Sequence, residues 1–183
     1  EIEVCAKTCV RRQRSSSDIW LVFAPIKRLR IDFIAQKATE LGASMLWPVF
    51  TKYTAVGRVN IDRLKSNAIE AAEQSDRLTV PEIREPVQFE DLLKNWPKGR
   101  FLFCCDETGG GKPILNEFQK HIGPSGLLIG PEGGFSNSEL DQLDKLSNVC
   151  RVSLGGRVLR SDTAAFAALA CWQASVGDWN IPP

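Results

Sequence analysis

The strongest constraint on this chain is a change of period that repeats along its length. Short apolar runs alternate with stretches whose apolar residues recur every three or four positions. IWLVFAP reads as a strand. Behind it, Ile34, Ala38 and Leu41 fall on one helical face, with Gly42 as the stop. SMLWPVF is a second strand, and Pro48 places it near an edge or a strand end. Asn60 is positioned to cap a helix over IDRLKSNAIEAAEQS, where Ile61, Leu64, Ala68 and Ala71 share a side. VPEIREPVQFEDLLKNWPKG is looser and reads as a strand fragment with a short helix. FLFCCD and GLLIG are buried-strand candidates, and Arg151 to Leu154 form one more strand. Ser136 and Glu139 make the S-x-x-E capping box, which fixes a helix start at Ser136. The last helix, Thr163 to Val176, is apolar nearly all round and is predicted to be buried. This order predicts one α/β domain over residues 18–183, a mostly parallel sheet with helices on both faces.

Residues 1–17 follow another pattern. They alternate loosely, like a strand, and end in an Arg-rich, Ser-rich stretch, which reads as the tail of something plus a linker. The chain opens on Glu1 and so reads as a fragment or a processed product. No apolar run approaches the roughly 20 residues that a membrane helix requires. The six cysteines lack zinc spacing and His121 is the only histidine, so no metal is expected. Buried reduced thiols in a cytoplasmic protein are the reading that remains. Residues 1–65 carry 12 lysines and arginines against 6 acids, and the remainder carries 11 against 16. The basic front half points either to a polyanionic partner or to solvated helix faces.

Three predicted strand ends carry glycine-rich loops: CCDETGGGKP, GPEGGFS and LGGRVLRSDTA. In open α/β sheets ligands sit outside the carboxyl ends of strands, and glycine lets backbone approach them closely. GPEGG lacks the Lys and Ser/Thr of a Walker A loop and does not match G-x-G-x-x-G. Glu132 would repel a phosphate at the helix start that follows. A ligand without phosphates fits better, such as an adenosine with a cationic amino-acid tail; a tight structural turn is the alternative. In LGGRVLRSDTA, Arg157 reads as a structural partner of a carboxylate, and Arg160 serves either in an ion pair or at a substrate phosphate or developing negative charge. Ser161 or Asp162 is positioned to cap the final helix.

IGPEGGFSNSEL followed by SLGGRVLRSDTAAFAALACWQ resembles the C-terminal signature of RsmE-type enzymes. These are the 16S ribosomal RNA uridine N3-methyltransferases of the SPOUT superfamily. DFIAQKATELG and AIEAAEQSDRLTVPEI resemble upstream segments of the same family in the same order, so the resemblance covers about residues 18–180. The family's usual Gly in QSGR is Asp76 here, its LGPR proline is Gly156, and Ser161-Asp162 stand before the final helix.

The resemblance implies a deep trefoil knot in the C-terminal part, with loops that bind S-adenosylmethionine in a bent shape at a homodimer interface. It places Phe103, Cys104, Ile129, Gly130, Gly133, Leu154, Gly155, Leu159 and Ala164 around that cofactor. Glu132 and Arg160 become the candidates for organising the reacting groups. Lys27, Arg28 and Lys37 become candidate phosphate contacts to RNA, in 16S rRNA or the small ribosomal subunit, and Arg77 a candidate to reach either that RNA or the site of the partner subunit. Family members usually carry a PUA-like β-barrel for RNA docking, and residues 1–17 would be its remnant. The rival readings are a SPOUT enzyme acting on transfer RNA or another RNA position, and a non-catalytic RNA-binding module.

Overall fold

The computed structural model describes residues 3–5, 7–10 and 18–180, except for the side chain of Arg28. Residues 3–5 and 7–10 are exposed and form no strand, contrary to the loose alternation read there; the rest of 1–17 lies outside the described residues. Cys5 and Cys9 are exposed rather than buried.

The first half of the chain builds three neighbouring strands. β1 (Ile19–Phe23) pairs in parallel with β2 (Met45–Phe50), and α1 (Arg28–Glu40) connects them. α2 (Ile61–Gln74) begins where Asn60 Oδ1 accepts the Arg63 N–H at 3.0 Å. Asp76, at the family's usual glycine position, follows this helix with φ 61°, in the left-handed region that glycine occupies without cost. Two short strands, β3 (Glu82–Ile83) and β4 (Val87–Gln88), then pair with β2. They cover Met45–Leu46 and Val49–Phe50 and leave Pro48 between them. The sheet thus tolerates a proline in a non-terminal strand, because no ladder partner on that side needs its missing N–H.

The second half supplies the remaining strands. α3 (Phe89–Lys94) leads to β5 (Phe101–Cys105), then β6 (Lys112–Pro113) and α4 (Ile114–Lys120). β7 (Ser125–Ile129), α5 (Asn137–Asp144), β8 (Val149–Ser153) and α6 (Ser161–Ser175) follow. The strand order is β3-β2-β1-β7-β5-β8-β6, with β4 also on β2, and the described pairings are parallel. β6 and α4 go unread in the sequence, and the two residues of β6 are too few to show a period.

Strand residues alternate between two cores. Leu21, Phe23, Phe103, Leu127 and Ile129 face α1, α4 and α6, whereas Val22, Leu102, Cys104 and Leu128 face α3 and α5. Helices therefore cover both faces, as the alternating pattern predicts. α6 lies over β7 between α1 and α4. Only one of its sides is buried, at Ala165, Ala168, Leu169, Trp172 and Gln173; Phe166, Ala167 and Ala170 remain partly exposed, contrary to the all-round burial expected. Gln173 Nε2 donates to the Leu41 carbonyl at 2.8 Å, and a Cβ at Gly42 would sit 2.3 Å from that nitrogen. Gly42 is thus required for close approach as well as for its φ of 87°. Among the described residues, no helix is long and apolar enough to cross a membrane.

Candidate active site

The carboxyl ends of β7, β5 and β8 lie side by side, and the glycine-rich loops leaving them enclose one cavity. Cys105 to Gly109 form one wall, Ile129 to Pro131 with Gly134 and Phe135 the second, and Ser153 to Leu159 the third, closed by Ser161 and Ala164 of α6. Of the positions placed around a cofactor, Ile129, Gly130, Leu154, Gly155, Leu159 and Ala164 line this cavity. Phe103 and Cys104 do not, because both side chains lie fully buried on opposite faces of β5. Gly133 faces elsewhere: a Cβ there would meet Tyr53 at 3.2 Å.

The loop from Leu154 to Arg160 is held at its ends and open in its middle. Gly155 has φ 107° and open space where a side chain would go, and its N–H donates to Ser153 Oγ at 3.2 Å. Ala164 N–H donates to the Arg160 carbonyl at 2.8 Å. Among the described residues, the amides of Gly156 to Leu159 donate to no other group of the chain. These are backbone groups left for a ligand or water to satisfy. Neither Ser161 nor Asp162 caps α6; the helix begins at Ser161, and Arg160 is its N-cap residue without a side-chain cap. Asp162 Oδ1 instead accepts the N–H of Thr163 at 2.9 Å.

The cavity lining carries both signs of charge together with free backbone amides. Among the described residues, Glu107 and Arg157 line the cavity with opposite charges, and Asp106, also in the lining, is paired with Arg151. Burial would raise the Asp106 pKa, but hydrogen bonds from the Thr108 N–H, Arg151 and the Thr108 hydroxyl outweigh it and hold the group below the ordinary carboxylate range. The Arg151 Nη2 to Asp106 Oδ2 distance is 2.6 Å. Cys105 is a neutral wall, since burial pushes its thiol up to about 12. S-adenosylmethionine, with its sulfonium and ammonium charges and no phosphate, fits this donor set. Among the described residues, no cluster of His, Cys, Asp and Glu could hold a metal.

Glu132 and Arg160 flank the cavity, and their side chains approach to 3.8 Å. Glu132 also accepts from Arg30 in the first turn of α1, and Arg30 Nε lies 3.9 Å from Asp162. Sequence reasoning passed over Arg30, because nothing in its local spacing shows that α1 starts beside the GPEGG loop. Arg77 is turned inward: its guanidinium donates to the Thr39 and Ala43 carbonyls at the end of α1, and burial lowers its pKa. It therefore caps a helix rather than reaching outward for RNA. Lys37 pairs with Glu40 at 2.7 Å and lies over Phe33. Lys27 is exposed, and the Arg28 side chain lies outside the described residues.

A parallel sheet with a ligand cavity walled by three glycine loops defines a class, and solved structures identify it. The chain shares its fold with a TrmH/SpoU transfer RNA modifying enzyme of A. aeolicus, at a TM-score of 0.58 and 13% identity over 89% of this chain and 77% of that one. The molecule thus has the fold of a TrmH/SpoU enzyme. Within that class, residues 13–173 match the RNA methyltransferase domain family. The chain is 32% identical to ribosomal RNA small subunit methyltransferase E of Rickettsia conorii over 171 residues, 92% of this chain and 69% of that protein. It is 32% identical to the enzyme of the same name from Mesomycoplasma hyopneumoniae, over 81% of this chain and 66% of that protein. The Neisseria gonorrhoeae enzyme of that name, solved bound to S-adenosyl methionine, superposes with a TM-score of 0.80 at 30% identity, covering 89% of this chain and 68% of that one. The chain belongs to the ribosomal RNA small subunit methyltransferase E family, and spans about two thirds of the length of these relatives.

Proposed function

We propose that this chain methylates N3 of a specific uridine in 16S ribosomal RNA, using S-adenosylmethionine. The observation that carries the reading is the cavity between three glycine loops, with free backbone amides in its lining and the Glu132–Arg160 pair at its flank. When bound, S-adenosylmethionine supplies the methyl group, which leaves its sulfonium for the uridine nitrogen. Asp106, held by Arg151, and Glu107 would line the cofactor's pocket, and the Leu154–Arg160 loop would offer backbone groups to its polar edges. As the N3 proton departs, negative charge grows on the uridine ring carbonyls, and Arg160 stabilises it. Glu132, oriented by Arg30, orients the base or accepts the proton. Holding the two reactants in line supplies much of the rate, up to roughly 7–11 kcal/mol in favourable systems.

In this reading residues 18–183 form the methyltransferase unit, knotted through its C-terminal part, and residues 1–17 are the remnant of a PUA-like RNA-binding barrel plus a linker. The enzyme works as a cytoplasmic homodimer. Its interface lies on the apolar surface where α1 and α6 meet, at Leu29, Phe33 and Phe166. The test is transfer of a labelled methyl group to unmethylated small-subunit ribosomal RNA, followed by mapping of the modified nucleotide. N3-methyluridine at one site supports the proposal. Methylation of transfer RNA instead, or RNA binding without cofactor binding, overturns it.

A further inference from the structure

We propose that Tyr53 is a base-stacking residue that holds the target uridine, or the nucleotide next to it, beside the reacting groups. The proposal rests on the RNA-methyltransferase reading above. A single exposed tyrosine is ordinary on a protein surface. Three observations set this one apart.

Its side chain packs beside the GPEGG loop, since a methyl group at Gly133, on the side of that loop turned from the cavity, would lie 3.2 Å from Tyr53 Cβ and 3.7 Å from its Cγ. Gly133 adjoins Glu132, so Tyr53 projects from the same end of the sheet as the candidate reacting groups. The turn that carries it is also held from both ends. Thr51 N–H donates to Thr54 Oγ1 at 2.9 Å, Thr54 N–H donates to the Thr51 carbonyl at 3.1 Å, and the two hydroxyls lie 2.8 Å apart. Lys52 N–H donates to Glu139 Oε1 at 2.8 Å, which ties the turn to the capping box of α5. Tyr53 itself contributes nothing to either core and remains 48% exposed. This much anchoring presents a ring to solvent rather than burying one.

The third observation is charge. Lys52 Nζ lies 5.5 Å from the ring centroid, and Lys52 and Arg58 of the same loop are both exposed. An aromatic face flanked by cations is how proteins hold unpaired RNA bases, with the ring stacking on the base and the cations meeting the phosphates. Attack by uridine N3 requires that base to be out of its pair, and an unpaired base loses stacking that a protein ring then replaces.

The chain has one tyrosine, so a 13C-labelled tyrosine ring reports from this position alone. Wild-type chain is first shown to methylate a ribosomal RNA fragment. If no ribosomal RNA is methylated, the underlying reading falls and this proposal falls with it, before Tyr53 is altered. With an active fragment in hand, adding it to the labelled chain should move the ring signals upfield through a base ring current. Tyr53→Ala should raise KM for RNA roughly tenfold, leaving S-adenosylmethionine affinity unchanged and kcat within about twofold. Tyr53→Phe, which keeps the ring, should behave as wild type. A fragment that is bound and methylated without moving the tyrosine signals, or a Tyr53→Ala chain with wild-type KM, overturns the assignment.

Discussion

Arg160 and Glu132 lie 3.8 Å apart while each keeps more than half of its side-chain surface in solvent. An exposed pair of this kind contributes little to folding, about 0–1 kcal/mol. Removing one member therefore separates function from stability. Arg160→Ala should lower turnover by roughly 10²–10³-fold, the usual loss when one stabilising donor is removed. Its unfolding midpoint and S-adenosylmethionine affinity should match wild type, as checked by denaturant titration and calorimetry. A wild-type turnover would remove Arg160 from the mechanism. Gly155 tests the loop that would hold the cofactor. At φ 107° an alanine is strained by about 1–3 kcal/mol, although open space surrounds the position. Gly155→Ala should weaken S-adenosylmethionine binding by roughly tenfold in a calorimetric titration, a loss of about 1.4 kcal/mol. Unchanged affinity would show that this loop reshapes without cost. Both residues were legible in the sequence because motif position singled them out. Arg30 and Tyr53 were not, since only packing brings α1 and the turn after β2 to the GPEGG loop.

Between elements, two buried carboxylates join loops that the sequence separates widely. Glu139 accepts from the Ser136 N–H and hydroxyl at 2.8 and 2.9 Å and from the Lys52 N–H at 2.8 Å. The capping box explains the first contacts and was legible from S-x-x-E spacing; the Lys52 contact spans 87 residues and was not. Glu139→Ala leaves buried donors unpaired and should cost about 2–3 kcal/mol in denaturant unfolding. Through the Lys52 contact it should also raise KM for RNA. Asp106 performs a similar service between β5 and β8, through Arg151. Its folded pKa lies below the ordinary 3.8, so its contribution to stability is complete above about that pH. That contribution fades as pH falls through the depressed folded value. Asp106→Asn should therefore cost about 2 kcal/mol at neutral pH, with the gap to wild type closing below pH 3.8. A gap that persists in acid would mean that the carboxylate's charge is not what Arg151 requires.

For the whole molecule, ligand linkage gives the simplest measurement. A cofactor that binds only the folded chain should stabilise it by about 2.7 kcal/mol at a hundredfold excess over Kd. For a chain of this size that is an upward shift of roughly 5–10 °C in Tm. S-adenosylmethionine should produce the shift, and NAD and ATP should not; equal shifts with ATP would contradict the S-adenosylmethionine reading of the cavity. The alternation of strand and helix determined the fold class, because period and burial are local properties that each segment writes in its own residues. The glycine loops marked the strand ends for the same reason, since a backbone that must turn or approach closely excludes side chains wherever it occurs. Tertiary structure alone decided which loops share a cavity, because strand order places β5 between β7 and β8 against their order in the chain. It also turned Arg77 inward and left one side of an apolar helix partly exposed. Those outcomes depend on what each residue meets across the fold, and one-dimensional spacing carries no record of partners dozens of residues away.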